Sequence, residues 1–328
     1  MKGRWAGWPI LAASLVAVVA AACGGKEPAS GPPAPATAPA LDALAPAPDA
    51  LAPAPDYLAE VESWREERMA GLRKPDSWLS LAGLYWLEEG DNSVGADPAS
   101  DLVFPAGKAE PRLGVLRRKG RQASFEAAPG VLVSQDGEPV TVLDLVSDAA
   151  GKPTTLEHGS LRFYVIERGE RVGLRLKDLD SELLREFTGI DHYPVDPAWR
   201  ITARFEPYVE PRMIPVPNIT GDVLDQPSPG RIVFSIGGAE LSLETLGDPE
   251  KPLFLVFGDE TNGGETYGGG RFLYAGPPDA ESLLVVDFNK AYNPPCVFTP
   301  YATCPLPPPG NRLPLPVLAG ERSFGAGH

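Results

Sequence analysis

Residues 161–176 read LRFYVIERGERVGLRL and set the fold class that we predict for this chain. Apolar and polar side chains alternate through Leu161–Glu167 and again through Arg171–Leu176, as in half-buried strands. The short link Arg168-Gly169-Glu170 joins the two runs, and a glycine in such a link is typical of a hairpin. The stretch therefore predicts an antiparallel pair of strands.

Similar short runs follow one another along most of the chain. A second hairpin is predicted where Gly237-Gly238 separates Arg231–Ile236 from Ala239–Thr245. More runs of β-branched and aromatic residues are Leu102–Phe104, Leu113–Arg117, Gln122–Glu126, Val131–Ser134, Thr141–Leu145, Arg200–Tyr208, Pro252–Phe257, Arg271–Tyr274 and Leu283–Phe288. Strands and helices do not alternate, so we predict a mainly β fold, a single large antiparallel sandwich-like or barrel-like domain.

One helix is predicted before the strands. Apolar and long side chains recur there every three or four residues, at Leu58, Val61, Trp64, Arg68 and Leu72. Asp56 stands where a helix cap is expected. The aromatic-rich stretch that follows, 77–90, is interpreted as core. The β-rich domain is therefore predicted to begin with an amphipathic helix and to span residues 57–328.

The first 22 residues have the three zones of a secretory signal peptide. Lys2 and Arg4 give a basic start, Ile10–Val19 is apolar, and three alanines precede Cys23. The junction resembles the bacterial lipobox, in which the cysteine is acylated, although alanine stands at position 20 where leucine is usual. The alternative is an uncleaved membrane helix, but glycine and proline interrupt the apolar run and no basic flank follows it.

Residues 23–56 are predicted to be a disordered tether. They are rich in proline and alanine and contain the tandem copies 44–50 and 51–57, a composition that cannot bury a core. Because Gly24 rather than aspartate follows Cys23, the resemblance to Gram-negative sorting signals implies anchoring in the outer membrane, facing the periplasm. The lipid-anchored membrane is therefore a predicted partner.

The charge of the chain excludes one class of ligand. It carries 44 acidic against 29 basic side chains, a formal net charge of −15. Such a chain repels phosphate backbones, so we predict no nucleic-acid partner. The basic cluster at 117–121 is interpreted as a solvated hairpin tip.

The C-terminal part resembles a known family. Residues 287–307, DFNKAYNPPCVFTPYATCPLP, look like the signature of DUF1684, a bacterial family of unknown function. Shorter pieces support the resemblance at Trp78–Leu81, Gly83–Leu87, Phe187–Gly189, Thr266–Arg271, Asn311–Leu313 and Ala319–Glu321. The resemblance spans about Tyr57–Arg322 and implies a segment but no activity.

This segment carries the candidate site. Its prolines exclude helix and inner strand, while its aromatic residues should be buried, which favours a rigid loop that can hold polar side chains in place. If strands Arg271–Tyr274 and Leu283–Asp287 are antiparallel neighbours, the glycine-rich loop before one and the proline-rich loop after the other meet at one sheet edge. The candidate catalytic residues are Asp259, Asp287 and Glu321; the candidate binding residues are Thr266, Tyr267, Arg271, Asn289, Tyr292 and Asn293.

Several of these residues have a second interpretation. Asp287 is either a catalytic carboxylate or a cap that fixes the loop. Arg271 either clamps an anionic substrate or pairs with Asp259 or Asp287. Cys296 and Cys304 are predicted to form a disulfide, the alternative being a thiol or metal site.

Histidines are few. His158 is interpreted as structural, and so is His192, although His192 with Asp191 and Asp196 is a cluster worth testing. With three histidines in the chain, no metal site and no cofactor are predicted.

Three functions remain open. The first is an exported envelope module that binds a small polar or sugar-like ligand or a glycan, since aromatic, amide and carboxylate groups suit such ligands. The second is a hydrolase that uses paired carboxylates. The third is a structural or assembly lipoprotein.

Overall fold

The computed structural model describes residues 54–325 of the chain. The predicted signal peptide, Cys23 and most of the predicted tether lie outside these residues. Within them the protein is mainly β with one long helix at its start, which confirms the predicted fold class. No helix in this range is both long and apolar enough to cross a membrane.

Helix α1 spans Pro55–Leu72 and docks through Tyr57, Val61 and Leu72, which are buried. Proline at the first position suits a helix start, because the first amides have no partner within the helix. Ala54 is the N-cap, so the predicted cap at Asp56 is wrong. Asp56 lies in the first turn instead, where a carboxylate interacts favourably with the helix dipole.

The first half of the β region contains eleven strands in two sheets. The strands are β1 Leu81–Trp86, β2 Gly90–Gly95, β3 Leu102–Val103, β4 Gly114–Lys119, β5 Gln122–Ala127, β6 Ser134–Gln135, β7 Glu138–Pro139, β8 Val142–Leu145, β9 Leu156–His158, β10 Leu161–Arg168 and β11 Arg171–Asp178. One sheet has the order β1-β11-β10-β9-β6-β7 and the other β3-β2-β4-β5-β8. A shared core lies between them, with Phe163 in edge contact with Phe104 and Phe125.

The second half contains a short helix, α2 Glu182–Glu186, and six strands. These are β12 Arg200–Pro217, β13 Val223–Ile236, β14 Ala239–Glu244, β15 Leu253–Phe257, β16 Arg271–Ala275 and β17 Leu283–Asp287. Four of them form a sheet in the order β14-β13-β12-β17, and β15 pairs with β16. Their apolar faces enclose a second core around Phe257 and Phe288.

The proline-rich segment after β17 is irregular, as predicted, apart from single turns at Phe288–Lys290 and Pro295–Val297. It is nevertheless buried, because Leu313, Leu315 and Val317 belong to the second core. The segment therefore packs along the domain rather than projecting from it.

Both predicted hairpins are confirmed: β10 pairs with β11 and β13 with β14, each antiparallel. The predicted pairing of the strands at 271 and 283 is wrong. Strand β16 pairs with β15 and β17 pairs with β12, so the two strands lie in different sheets. The register explains this: Phe257 lies opposite Arg271, and the glycine-rich loop closes a β15–β16 hairpin.

Candidate functional site

Arg271 is fully buried at the base of β16 and makes an ion pair with buried Asp259, Nη2 to Oδ2 at 2.8 Å. Three further contacts reach backbone carbonyls of the C-terminal segment: Nη2 contacts Val317 O at 2.9 Å, and Nη1 contacts Ala319 O and Glu321 O, while the buried Nε has no acceptor in the described chain. A guanidinium shared in this way between a carboxylate and several carbonyls holds chain segments together. The geometry matches the structural interpretation of Arg271, as a partner of Asp259.

The glycine-rich loop closes around the same pair. Asp259 Oδ1 accepts from the amide and hydroxyl of Thr261, at 2.9 and 2.5 Å, and from the amide of Val317. Thr266 is buried and its hydroxyl lies 2.7 Å from that of Thr261. Tyr267, which is half-buried, packs among apolar side chains, and burial raises its pKa. The carboxylate of Asp259 and the hydroxyls of Thr261 and Thr266 therefore form hydrogen bonds with one another.

Asp287 belongs to a second network. Its Oδ1 accepts from Tyr57 Oη at 2.9 Å and from the amide of Asn289 at 3.1 Å, the pattern of a capping turn. Asn289 in turn holds the backbone of Asp196 through both of its side-chain polar atoms. Burial, together with the neighbouring carboxylate of Asp287, raises the pKa of Tyr57. The network thus ties α1 to the end of β17.

Glu321 lies in a third network and is fully buried. Its carboxylate accepts from Arg68 Nε at 3.0 Å and from the amide of Asn293 at 2.6 Å. The Arg68 guanidinium lies 4.8 Å from the ring centroids of both Trp78 and Tyr292, as in cation–π contacts. Burial raises the pKa of Tyr292. The three candidate carboxylates therefore occupy separate networks, each of which locks the C-terminal segment.

The two cysteines lie in the irregular segment. Cys296 and Cys304 are joined as a disulfide, with their Cα atoms 6.2 Å apart. The closed loop carries Ala302 and Thr303, which line the cleft described below. The disulfide thus fixes one wall of that cleft.

Two of the histidines, His158 and His192, lie within the described residues. His158 Nδ1 lies 2.9 Å from Leu132 O at a strand edge. His192 is half-buried and its Nε2 has no hydrogen-bond partner among residues 54–325. Burial, with a further contribution from Arg65, lowers its pKa to about 4. Within the described part of the chain, no three His, Cys, Asp or Glu side chains are grouped as metal ligands.

A site that the sequence analysis missed lies on the β10–β11 hairpin. Val172, Leu174 and Leu176 point into the first core, so the intervening residues share the opposite face. That face carries five cationic side chains: Arg162, Arg168, Arg171, Arg175 and Lys177. Register places Arg162 opposite Lys177 and Arg168 opposite Arg171, which is unfavourable for like charges unless anions compensate.

Three of the five cations are compensated. Arg162 lies 3.4 Å from Glu157 and Arg168 lies 2.8 Å from Asp148, while Arg171 contacts Asp222. Within residues 54–325, Arg175 and Lys177 have no carboxylate at salt-bridge distance.

The donors of these two residues are only partly satisfied. Arg175 Nη2 donates to Thr303 Oγ1 at 3.2 Å, and its buried Nε has no acceptor in the described chain. Lys177 Nζ donates to the carbonyl of Asp76 at 2.5 Å. Burial lowers the pKa of both groups, and it outweighs the opposing effects of Tyr164 and Asp148 on Arg175 and of Asp76 on Lys177.

Arg175 and Lys177 line a cleft of about 260 Å³ between the hairpin and the proline-rich segment. Aromatic rings of Trp78, Tyr164 and Phe272 share its wall with Thr303. The cleft, which we call the basic cleft, therefore combines uncompensated positive charge with flat apolar surfaces. Pockets of this composition bind small ligands with an orienting polar group.

A second depression adjoins the basic cleft and has a volume of about 390 Å³. Thr303 and Pro305 line both, so they form the rim that the two share. Its other walls are largely apolar, with contributions from Val216, Leu224, Leu246, Phe254 and Tyr274. We call it the apolar cleft.

The basic hairpin tip at 117–121 also lines a cleft, but its charges are largely neutralised. Arg117 pairs with Asp91 and Glu126, at 3.0 and 2.6 Å, and Arg121 pairs with Glu167 at 2.7 Å. Exposed pairs of this kind contribute little to stability. This surface is consistent with the predicted solvated hairpin tip.

Fold and site together define a mainly β protein with a cationic, aromatic-lined cleft against a disulfide-closed loop. Residues 185–322 match the family described as "Protein of unknown function (DUF1684)". This match confirms the predicted resemblance over that part of the chain; the resemblance of the region before residue 185 stays a prediction.

No curated protein matches the sequence. Among solved structures, the chain is similar to an uncharacterised protein of Haloarcula marismortui, with 29% identity over 43% of this chain and 80% of that one and a TM-score of 0.37. It is also similar to the FHA domain of FhaA, with 14% identity over 29% of this chain and 97% of that one and a TM-score of 0.21. Likenesses with such TM-scores carry no argument about function.

Proposed function

We propose that the protein is an envelope ligand-binding module, held to the membrane by a lipid on Cys23, whose ligand is a small polar molecule with an acidic group. The basic cleft is its binding site. Arg175, Lys177 and Thr303 receive the acidic group, and the rings of Trp78 and Phe272 pack against the remainder. A sugar acid or a sugar phosphate has both features.

The observation that supports this proposal is the uncompensated charge at Arg175. The chain has an excess of 15 acidic groups, yet none of the described ones lies at salt-bridge distance from this half-buried guanidinium. Desolvating a cation without a partner costs free energy, which a bound anion recovers. Pre-placed donors of this kind also bind an anion without a large reorganisation.

The shape of the cleft sets the class of ligand. A volume of about 260 Å³ suits a small molecule rather than a polymer. No second function is proposed, because Asp259, Asp287 and Glu321 each serve a different hydrogen-bond network.

The proposal is tested by thermal denaturation of residues 54–328 with glucose, glucuronate or glucose 6-phosphate. The acidic compounds are expected to raise the melting temperature in a concentration-dependent way, because a ligand that binds only the folded state stabilises it. Neutral glucose is expected to have little effect.

The matched variants are Arg175→Met and Arg185→Met. The first removes the uncompensated cation, while the second removes an exposed arginine paired with Asp180. The shift should disappear in the first variant and persist in the second. Equal shifts in both variants, or a shift with glucose as large as with its acids, would contradict the proposal.

A further inference from the structure

The two clefts differ in chemistry but share a rim. The basic cleft offers Arg175 and Lys177, whereas the apolar cleft offers mainly hydrocarbon from Leu224, Leu246 and Phe254. Thr303 accepts a hydrogen bond from Arg168 at 3.1 Å and from Arg175 at 3.2 Å, so its hydroxyl lies where the two clefts meet. Cationic donors therefore border directly on an apolar surface.

The aromatic side chains connect the two surfaces. Phe272 lines the basic cleft and is in edge contact with Phe254, with ring centroids 5.0 Å apart. Phe254 lines the apolar cleft beside Tyr274, at 5.1 Å. A ligand that leaves the basic cleft past Thr303 thus meets the apolar cleft, which Phe254 and Tyr274 line.

We infer that the ligand is an amphiphilic anion, with its acidic head at Arg175 and Lys177 and an alkyl chain in the apolar cleft. This inference rests on the anion site of the proposed function and replaces the sugar part of the proposed ligand by an alkyl chain. The head can be a carboxylate or a phosphate ester, so a free fatty acid and a single-chain lipid headgroup share the chemistry. Tyr274 is 56% exposed at the apolar cleft, a large aromatic surface that such a chain would cover.

The charges around Arg175 and Lys177 favour a ligand whose head carries a single acidic group. Asp148 faces Arg168 at 2.8 Å, and Asp222 contacts Arg171, so both of these cations are already paired. Only Arg175 and Lys177, within the described residues of this face, are left for the head. The alkyl chain of the ligand then extends from Arg175 and Lys177 over Pro305 toward Leu224.

The experiment is a calorimetric titration of residues 54–328 with butyl, octyl and dodecyl phosphate and with butanoate, octanoate and dodecanoate, below their micellar concentrations. Burial of each methylene tightens binding by up to about fourfold, so Kd should fall with chain length until the apolar cleft is filled. Comparison of the two series distinguishes a phosphate head from a carboxylate head.

Two variants probe the apolar cleft. Leu224→Ser places a polar group in its wall, while Val223→Ser changes the preceding residue, which is 60% exposed and does not line it. The dependence of Kd on chain length should weaken in Leu224→Ser and stay unchanged in Val223→Ser. Arg175→Met should weaken binding at every chain length.

The outcomes separate this inference from the function on which it rests. Binding of short and long phosphates with equal Kd, lost in Arg175→Met, would overturn the amphiphile and leave the anion site standing. No binding of any acid would overturn both. Binding of the long compounds that is unaffected by Arg175→Met would also overturn the inference, because it would show adsorption of the alkyl chain without the head site.

Discussion

At the scale of single residues, the polar groups of the C-terminal segment divide into those that hold the fold and those that are left for a ligand. The sequence identified Asp259, Arg271 and Asp287 as special because they flank glycine-rich and proline-rich loops. The structure places all three in buried networks. The sequence analysis left open whether Arg271 pairs with Asp259 or with Asp287, and the structure shows the pair with Asp259.

The residues of the basic cleft could have been found from the sequence. Cations alternate along 162–177, with Arg171, Arg175 and Lys177 two or four residues apart on one strand. Period-two spacing puts them on one face. The sequence does not show which of these cations are paired with a carboxylate. Three of the five are neutralised by Glu157, Asp148 and Asp222, through contacts that depend on the tertiary fold.

Replacement of Arg271 by alanine should destabilise the protein strongly. The substitution leaves Asp259 as a buried charge without its partner, which typically costs about 3–5 kcal/mol. Urea denaturation of residues 54–328 measures the change. Arg185→Ala, which removes an exposed ion pair, should change the unfolding free energy far less. Similar losses for the two variants would show that the buried pair is not a stabilising lock.

His192 should make the stability depend on pH between about 6.5 and 4. Its pKa falls from 6.5 to about 4 on folding, mainly through burial, so the unfolded chain binds the proton more readily. The contribution is therefore fully present above pH 6.5 and is lost as the pH falls toward 4. Because the side chain is only partly buried, we expect a loss of about 1–2 kcal/mol.

Comparison with His192→Gln isolates this histidine from the carboxylates that titrate in the same range. Unfolding free energies at pH 7.5 and 4.5 should differ less in the variant than in the wild-type protein. An identical difference in both proteins would rule out a buried, neutral His192.

At the scale of secondary-structure elements, short strand-like runs and their turn residues predicted two hairpins correctly. Strands β10, β11, β13 and β14 pair as their turn residues indicate. Strand β1 was missed because all six of its residues, Leu81–Trp86, are apolar, which is equally typical of any buried segment. The outer halves of β12 and β13 were missed because prolines interrupt them; the structure has a register shift between Pro207 and Arg212, and pairing resumes beyond it.

Which strands pair over long distances could not be read from local patterns. Strand β17 pairs with β12, some 80 residues earlier, rather than with the nearby β16. Side-chain alternation sets the face of a strand but not its neighbour, since several strands of this chain have the same pattern. The choice depends on core packing, here around Phe288 and Val286.

The disulfide-closed loop should control the basic cleft. Cys296→Ser combined with Cys304→Ser opens the loop that carries Thr303. The chain-entropy account gives a loss of about 2–3 kcal/mol for a loop of this size. Denaturation with and without a reductant measures it, and the affinity for glucose 6-phosphate should fall in parallel. Unchanged affinity in the serine variant would show that the loop does not shape the site.

At the scale of the whole molecule, the proposed protein consists of an anchor, a tether and a binding domain. Anchoring is predicted to depend on Cys23, which lies outside the described residues. Cys23→Ser should abolish lipid labelling and leave an unprocessed or soluble form. Labelling and membrane fractionation that match those of the wild-type protein would contradict the lipoprotein assignment.

The proposed function and the inferred class of ligand both rest on the anion site. The most direct test is the Kd of octyl phosphate for residues 54–328, measured by calorimetry at low salt for the wild type, Arg175→Met and Arg185→Met. Loss of a charge-assisted hydrogen bond of about 1.5–3 kcal/mol predicts a Kd about tenfold to a hundredfold weaker in Arg175→Met. Arg185→Met should bind like the wild type. Wild-type affinity in Arg175→Met, with the fold intact by circular dichroism, would contradict the account.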